Sequence, residues 1–226
     1  MSARQPTIIA TSIGFQPDGP DTQNLGLGPS FDLAAELARA GSHPRVCIIA
    51  TAVGDSDTRA AAVHNAFGKA GWISTHLALF TMPTFTDLRS HLLALWRAHG
   101  LDLILRQCWE SGVVLTGVSA GSLCWHVGGT TDSFGLPLRA VTDALGFLPY
   151  SNSPHHDAEP ERRPLIHRLI ADGTLPDGFA TENGTGLVFF GAALHEAFTE
   201  QPDKTAYSLT RRGDTTVERA LPTRLL

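Results

Sequence analysis

The stretch VVLTGVSAGSLCWHVGGTTDSFG, Val113 to Gly135, decides how the chain is read. It passes from an apolar, strand-like run into a serine set among small residues, then into an apolar, helix-like run. Gly117, Ser119, Ala120 and Gly121 fall at the junction. A side chain presented on a very sharp strand-to-helix turn needs small neighbours, and G-x-S-x-G is the signature of that turn, the nucleophile elbow. Ser119 is the candidate nucleophile; the competing reading is a small residue in a tight βα turn. An elbow also frees the backbone N–H of the next residue, here Ala120, to stabilise an oxyanion.

Outward from this turn, strands and helices alternate. TIIATSI (Thr7–Ile13), RVCIIATAV (Arg45–Val53), STHLALF (Ser74–Phe80) and VVLTGV are short apolar runs of strand length. SFDLAAELARAG, DTRAAAVHNAFGKAG, TDLRSHLLALWRAHG, LDLILRQCWESG and RPLIHRLIADG have helical periodicity, and AGSLCWHVGG begins with a helix carrying His126. Continuous apolar strands suit a sheet covered on both faces. The expected fold class is therefore α/β, a parallel sheet between helices, with additional short strands in the last quarter. No internal repeat, low-complexity tract or clear linker divides residues 1–226, so one domain is expected.

A serine hydroxyl is a poor nucleophile at neutral pH. It needs a base within hydrogen-bond reach, and the base needs an orienting partner. Of the ten histidines, His91, His99 and His167 lie in helical patterns and suit surfaces or helix ends. SNSPHHDAEPERRP (Ser151–Pro164) differs. It reads as a polar loop with adjacent histidines, and Pro154 restrains the chain just before His155. Asp132 in TTDSFG and Glu182 in ATENGTG are the candidate acids, and both sit in turn-like contexts. GLGPS (Gly26–Ser30) precedes a helix and invites two readings, a phosphate cradle or a plain N-cap at Ser30.

Composition narrows the function classes. The chain has 226 residues, 42% hydrophobic and 17% charged, with a net charge of −5 and no basic block, so nothing favours a nucleic acid partner. Cys47, Cys108 and Cys124 are odd in number and lie in apolar settings, as reduced core thiols of a cytoplasmic protein would. No cysteine–histidine spacing suggests zinc, and no cofactor or metal is expected. No apolar run approaches membrane-spanning length. The oligomeric state, monomer or homodimer, is not legible.

GVSAGSLCWHVGGTTDSFG, LGFLPYSNSPHHDAEPERRPLIHRLIADGTLPDGFA and LWRAHGLDLILRQCWESGVVLTGVSAGS together resemble the peptidase E (aspartyl dipeptidase) family of serine peptidases, closely from about Leu95 to Tyr207. The resemblance implies a fold like that of class I glutamine amidotransferases. It implies hydrolysis of short peptides, with N-terminal aspartate a candidate preference, through Ser119 as nucleophile and His155 as base. Asp132 matches an aspartate considered important in the family, and Glu182 matches the position assigned as third triad member.

The chain also departs from the family pattern. Members usually carry a glycine-rich turn before the LWRAHG helix that helps form the oxyanion hole, and TFTDLRSHLLALWRAHG runs into the helix without one. Ala120 N–H is then the one donor expected, and weak activity follows. Two alternatives stay open: an inactive member acting by binding or assembly, and an α/β-hydrolase-type esterase. In that second fold the histidine normally comes much later in the chain than 36 residues after the serine, the separation of Ser119 and His155.

Overall fold

The computed structural model describes residues 2–18, 24–79, 92–133 and 135–226. In chain order the N-terminal half holds β1 (Thr7–Thr11), β2 (Gln16–Pro17), β3 (Leu25–Gly26), α1 (Pro29–Leu37), β4 (Arg45–Ile49), a 3-10 turn (Thr51–Val53), α2 (Asp57–Lys69), β5 (Ile73–Leu77), α3 (Leu92–Ala98) and α4 (Leu101–Glu110). The elbow lies between β6 (Leu115–Val118) and α5 (Ala120–Leu123). Then follow β7 (Gly128–Thr131), β8 (Arg139–Val141), β9 (Ser151–Pro154), α6 (Arg162–Ala171) and β10 (Gly178–Thr181). The chain closes with β11 (Thr185–Phe190), β12 (Ala193–Thr199), β13 (Ala206–Arg212), β14 (Thr215–Ala220) and β15 (Thr223–Leu225).

The protein is a mixed α/β structure with parallel strands in its sheets, as expected, and the additional strands of the last quarter bring in antiparallel neighbours. One sheet has the order β15-β12-β11-β1-β6, another β14-β13-β10-β9-β7-β8, and β4 and β5 form a parallel pair. Parallel ladders join β1 to β6, β9 to β10 and β7 to β9, while β1 to β11 and β10 to β13 are antiparallel. The cause lies in the last quarter of the chain. Its strands follow one another through short turns, which permit antiparallel neighbours, whereas parallel neighbours need long crossovers.

Every residue of β1 is buried. Ile8 and Ala10 join Leu115, Leu187 and Phe189 in the main core with Trp96, Trp109, Trp125 and Phe147. On the opposite side of the strand, Ile9 packs with Leu33, Val188 and Phe198. A third cluster sets Ile166, Leu169 and Ile170 of α6 against Ala180 and Leu209.

Two segments near the elbow differ from their sequence reading. The helix after Ser119 stops at Leu123, and Gly128 and Gly129 enter a strand. A Cβ at Gly129 would overlap the Asn152 carbonyl, and one at Gly128 the Val141 carbonyl. The glycines let β7 lie tightly between β8 and β9. Likewise Ser151–Pro154 is a fully buried strand, not a solvated loop. Its polar side chains have internal partners: Ser151 Oγ donates to Pro176 O (2.8 Å), Asn152 Nδ2 to Ser122 Oγ (2.8 Å), and Ser153 Oγ pairs with Thr130 Oγ1 (2.9 Å). The thiols are also not uniformly core groups. Cys124 is buried, Cys108 half-buried and Cys47 exposed, all free.

Candidate active site

Ser119 has φ 58° and ψ −115°. For a residue with a Cβ this region is sparsely populated and costs on the order of 1–3 kcal/mol. The surrounding ladder imposes it. Ser119 N–H donates to Thr11 O (3.0 Å), continuing the β1–β6 pairing one residue past the strand, while Ser119 O already accepts from Leu123 N–H (2.9 Å) as the first carbonyl of α5. Gly117 is the steric condition for this turn, because a Cβ there would overlap Gly121 O. Gly121 meets no such limit, with nothing within 4 Å of its Cβ position.

His155 also has a positive φ, 55°. Among the described non-glycine residues, four share this property, and two of them are Ser119 and His155. The histidine's N–H donates to Ser12 Oγ (2.9 Å), and Ser12 Oγ pairs with Thr181 Oγ1 (2.7 Å). Ser119 and His155 are thus each tied by the backbone N–H to adjacent residues, Thr11 and Ser12, at the C-terminal end of β1. Bond lengths along that path bring the two nitrogens within roughly 11 Å of each other. A second brace is the Asn152–Ser122 bond, which pins the strand before His155 to the helix after Ser119.

The imidazole Nδ1 of His155 pairs with Asn183 Oδ1. With Asn183 accepting, the ring is held as the Nδ1–H tautomer and Nε2 keeps its lone pair. Asn183 N–H in turn donates to Asp157 Oδ1 (2.8 Å), whose other oxygen accepts from Lys204 (2.6 Å). Burial works to raise the Asp157 carboxyl; the Lys204 and Asn183 hydrogen bonds outweigh it and hold the group below its usual value.

The two acids singled out in the sequence make other contacts. Glu182, next to Asn183, accepts from Thr205 N–H (3.0 Å) and Tyr207 O–H (2.9 Å), and thereby fixes the segment that carries Asn183. Asp132 lies 3.9 Å from Arg162 with about half its side chain exposed. Arg162 itself is buried, and donates to Glu159 (2.6 Å) and to Thr130 O (3.2 Å) beneath β7. Asn183 was missed by the sequence reading because an amide in a TENG turn looks like a turn former.

Other candidates resolve differently. His126, after the elbow, is taken up by the core. It is fully buried, bonds Ser122 O (3.0 Å), and burial lowers its pKa to about 4. Burial likewise pushes the Cys124 thiol far up, out of thiolate chemistry at neutral pH. At GLGPS, Gly28 is the cap residue, not Ser30, and Glu200 Oε1 accepts the Ser30 N–H (2.8 Å). That carboxylate holds the position a phosphate would need. The stretch between Phe85 and Trp96 that should carry a second oxyanion donor lies for the most part outside the described residues. Among the described residues no helix is long and apolar enough to cross a membrane.

A serine on a strained strand–helix turn and a histidine braced to the same strand end thus sit together on a mixed α/β scaffold. Comparison with known proteins gives the family. The model of peptidase family S51 matches residues 89–197. The chain is 37% identical over 200 residues to the "uncharacterized peptidase YgaJ" of Bacillus subtilis (strain 168), covering 81% of this chain and 86% of that one. Its fold is similar to a solved structure from Listeria monocytogenes EGD-e described as a "putative peptidase E protein", with TM-score 0.53, 16% identity, and coverage of 84% of this chain and 97% of that one. The chain belongs to the S51, or peptidase E, family and is a serine peptidase.

Proposed function

We propose that the protein hydrolyses short peptides by acyl transfer through Ser119. His155 Nε2 takes the hydroxyl proton as Ser119 Oγ bonds to the scissile carbonyl carbon. The C–N bond then breaks, and the same proton passes to the leaving amine. Water, deprotonated by His155, releases the acid and restores the serine. Ala120 N–H faces the developing oxyanion. Asn183 orients the imidazole, and Glu182 acts at one remove by anchoring the Asn183 segment. Asp132 stays in the proposal as a support for the end of β7 through Arg162. Peptides with an N-terminal aspartate are the first substrates to test, on the strength of the family resemblance.

The observation that carries this reading is the joint anchoring of Ser119 and His155, both at positive φ, on Thr11 and Ser12. Labelling with a fluorophosphonate, read by intact mass, tests it. One adduct per chain is expected, absent in Ser119→Ala and strongly slowed in His155→Ala, with circular dichroism unchanged. Full labelling of Ser119→Ala would remove the serine from the mechanism. Turnover is expected below the ordinary enzyme range of roughly 1–10³ s⁻¹, since loss of one oxyanion donor costs about 10²–10³ in kcat.

A further inference from the structure

Next to His155 in the chain, at His156, three ligating groups converge. We propose that His156, His167 and Glu218 form a zinc-binding site distinct from the Ser119–His155 pair. His156 follows β9 and its side chain is fully buried; His167 comes from α6 and Glu218 from β14. The Nε2 atoms of the two histidines lie 3.0 and 2.7 Å from the same oxygen, Glu218 Oε2. Two imidazole nitrogens and a carboxylate oxygen are a zinc donor set, with a fourth position left for water. The ligands come 11 and 51 residues apart on three elements, so no local motif announces them.

The convergence of these three ligand atoms, all within 4.8 Å of one another, is what points to a cation, and the protons around them are in conflict. His156 Nδ1 lies 3.3 Å from Ser153 Oγ. If Nδ1–H donates there, Nε2 presents a lone pair to Glu218 Oε2, another acceptor. In the opposite tautomer Nε2–H faces Glu218, but it then meets the Nε–H of Arg163, 3.1 Å away. Neither proton placement satisfies all three atoms at once. A divalent cation takes lone pairs from both imidazoles and the carboxylate together, provided that Arg163 Nε–H turns away from His156 Nε2. Ser153 would then fix the His156 tautomer from outside the ligand set. Arg163 Nη2, 3.0 Å from Glu218 Oε1, would orient the carboxylate through its free oxygen. Arg163 is half exposed and can withdraw its Nε–H from His156 while keeping that contact. Zinc–ligand bonds of about 2.0–2.1 Å in a tetrahedron separate ligand atoms by ~3.3 Å, so the three must open by a few tenths of an ångström. His167 and Glu218 lie nearer the surface than His156 and can yield.

The site would join the turn after β9, α6 and β14, and so stiffen the turn on which His155 sits. The test uses the full chain, stripped with a chelator and titrated with zinc chloride by calorimetry, with cobalt(II) as a spectroscopic substitute. One zinc per chain, a zinc-dependent rise in Tm and tetrahedral cobalt bands are expected. All three should vanish in His167→Ala and in Glu218→Gln. They should persist in His76→Ala, which removes the His64–His76 pair (2.9 Å), the competing place for a metal. Absence of binding in the parent chain overturns the proposal, and so does binding that survives in both His167→Ala and Glu218→Gln.

Discussion

Asn183 is the residue whose role changes most between sequence and structure. It holds His155 through a neutral amide, which fixes the tautomer without adding charge to the imidazole. Asn183→Ala should therefore lower kcat on the order of 10²-fold or more, because the ring is freed to rotate and change tautomer. Glu182→Gln should lower it less than about tenfold, since Gln still offers an oxygen to Thr205 N–H or Tyr207 O–H. Steady-state kinetics on a dipeptide substrate rank the two. The reverse order would mean that Glu182 swings to the imidazole during turnover. The serine was legible because its signature is local: four small residues around one turn. The histidine was legible from Pro154 and the family pattern. The imidazole's partner was not, because which of Asp132, Glu182 or Asn183 reaches Nδ1 depends on how β10 and β13 pair, and no residue type encodes that.

At the scale of elements, the elbow makes a paired prediction. Gly117→Ala places a methyl group into the backbone of α5, and should cost about 3 kcal/mol or more, seen as a lowered midpoint in urea. Gly121→Ala meets open space inside a helical turn and should be neutral, or stabilising by up to about 1 kcal/mol. Equal destabilisation by both would show that the turn is not limited by the β6–α5 approach. The same logic explains which elements the sequence hid. Strand β7 looked like the end of a helix because Gly128 and Gly129 carry no side chain to mark a period. Strand β9 looked like a loop because Ser151, Asn152 and Ser153 are polar. Both are buried, and their fit comes from backbone proximity and paired hydroxyls, where hydropathy has no signal. Apolar strands such as β1 and β6, and amphipathic helices such as α4, were readable because burial alone dictates them.

For the whole molecule, buried His126 is one source of acid sensitivity. Its folded-state pKa, about 4, lies below the unfolded value of about 6.5. Above the unfolded value the ring is neutral in both states and the native fold has its full stability. As pH falls from about 6.5 toward 4, the unfolded chain takes up a proton that the native state refuses, and stability drops by on the order of 3 kcal/mol. Chemical denaturation at pH 7 and at pH 4.5 should show that loss, and His126→Phe, if folded, should remove most of the slope. A parent chain equally stable at both values would mean that His126 is not held neutral. The strand that braces the site has a different consequence, one of timing. Thr7 of β1 pairs with Phe190 of β11, 183 residues later. During synthesis at about 5–20 residues per second, β1 leaves the ribosome roughly 10 to 40 seconds before that partner exists. Through that interval the edge of TIIAT that β11 will cover has no ladder partner. Until β11 closes that edge, the strand end at Thr11 and Ser12 that holds the proposed nucleophile and base has only part of its ladder.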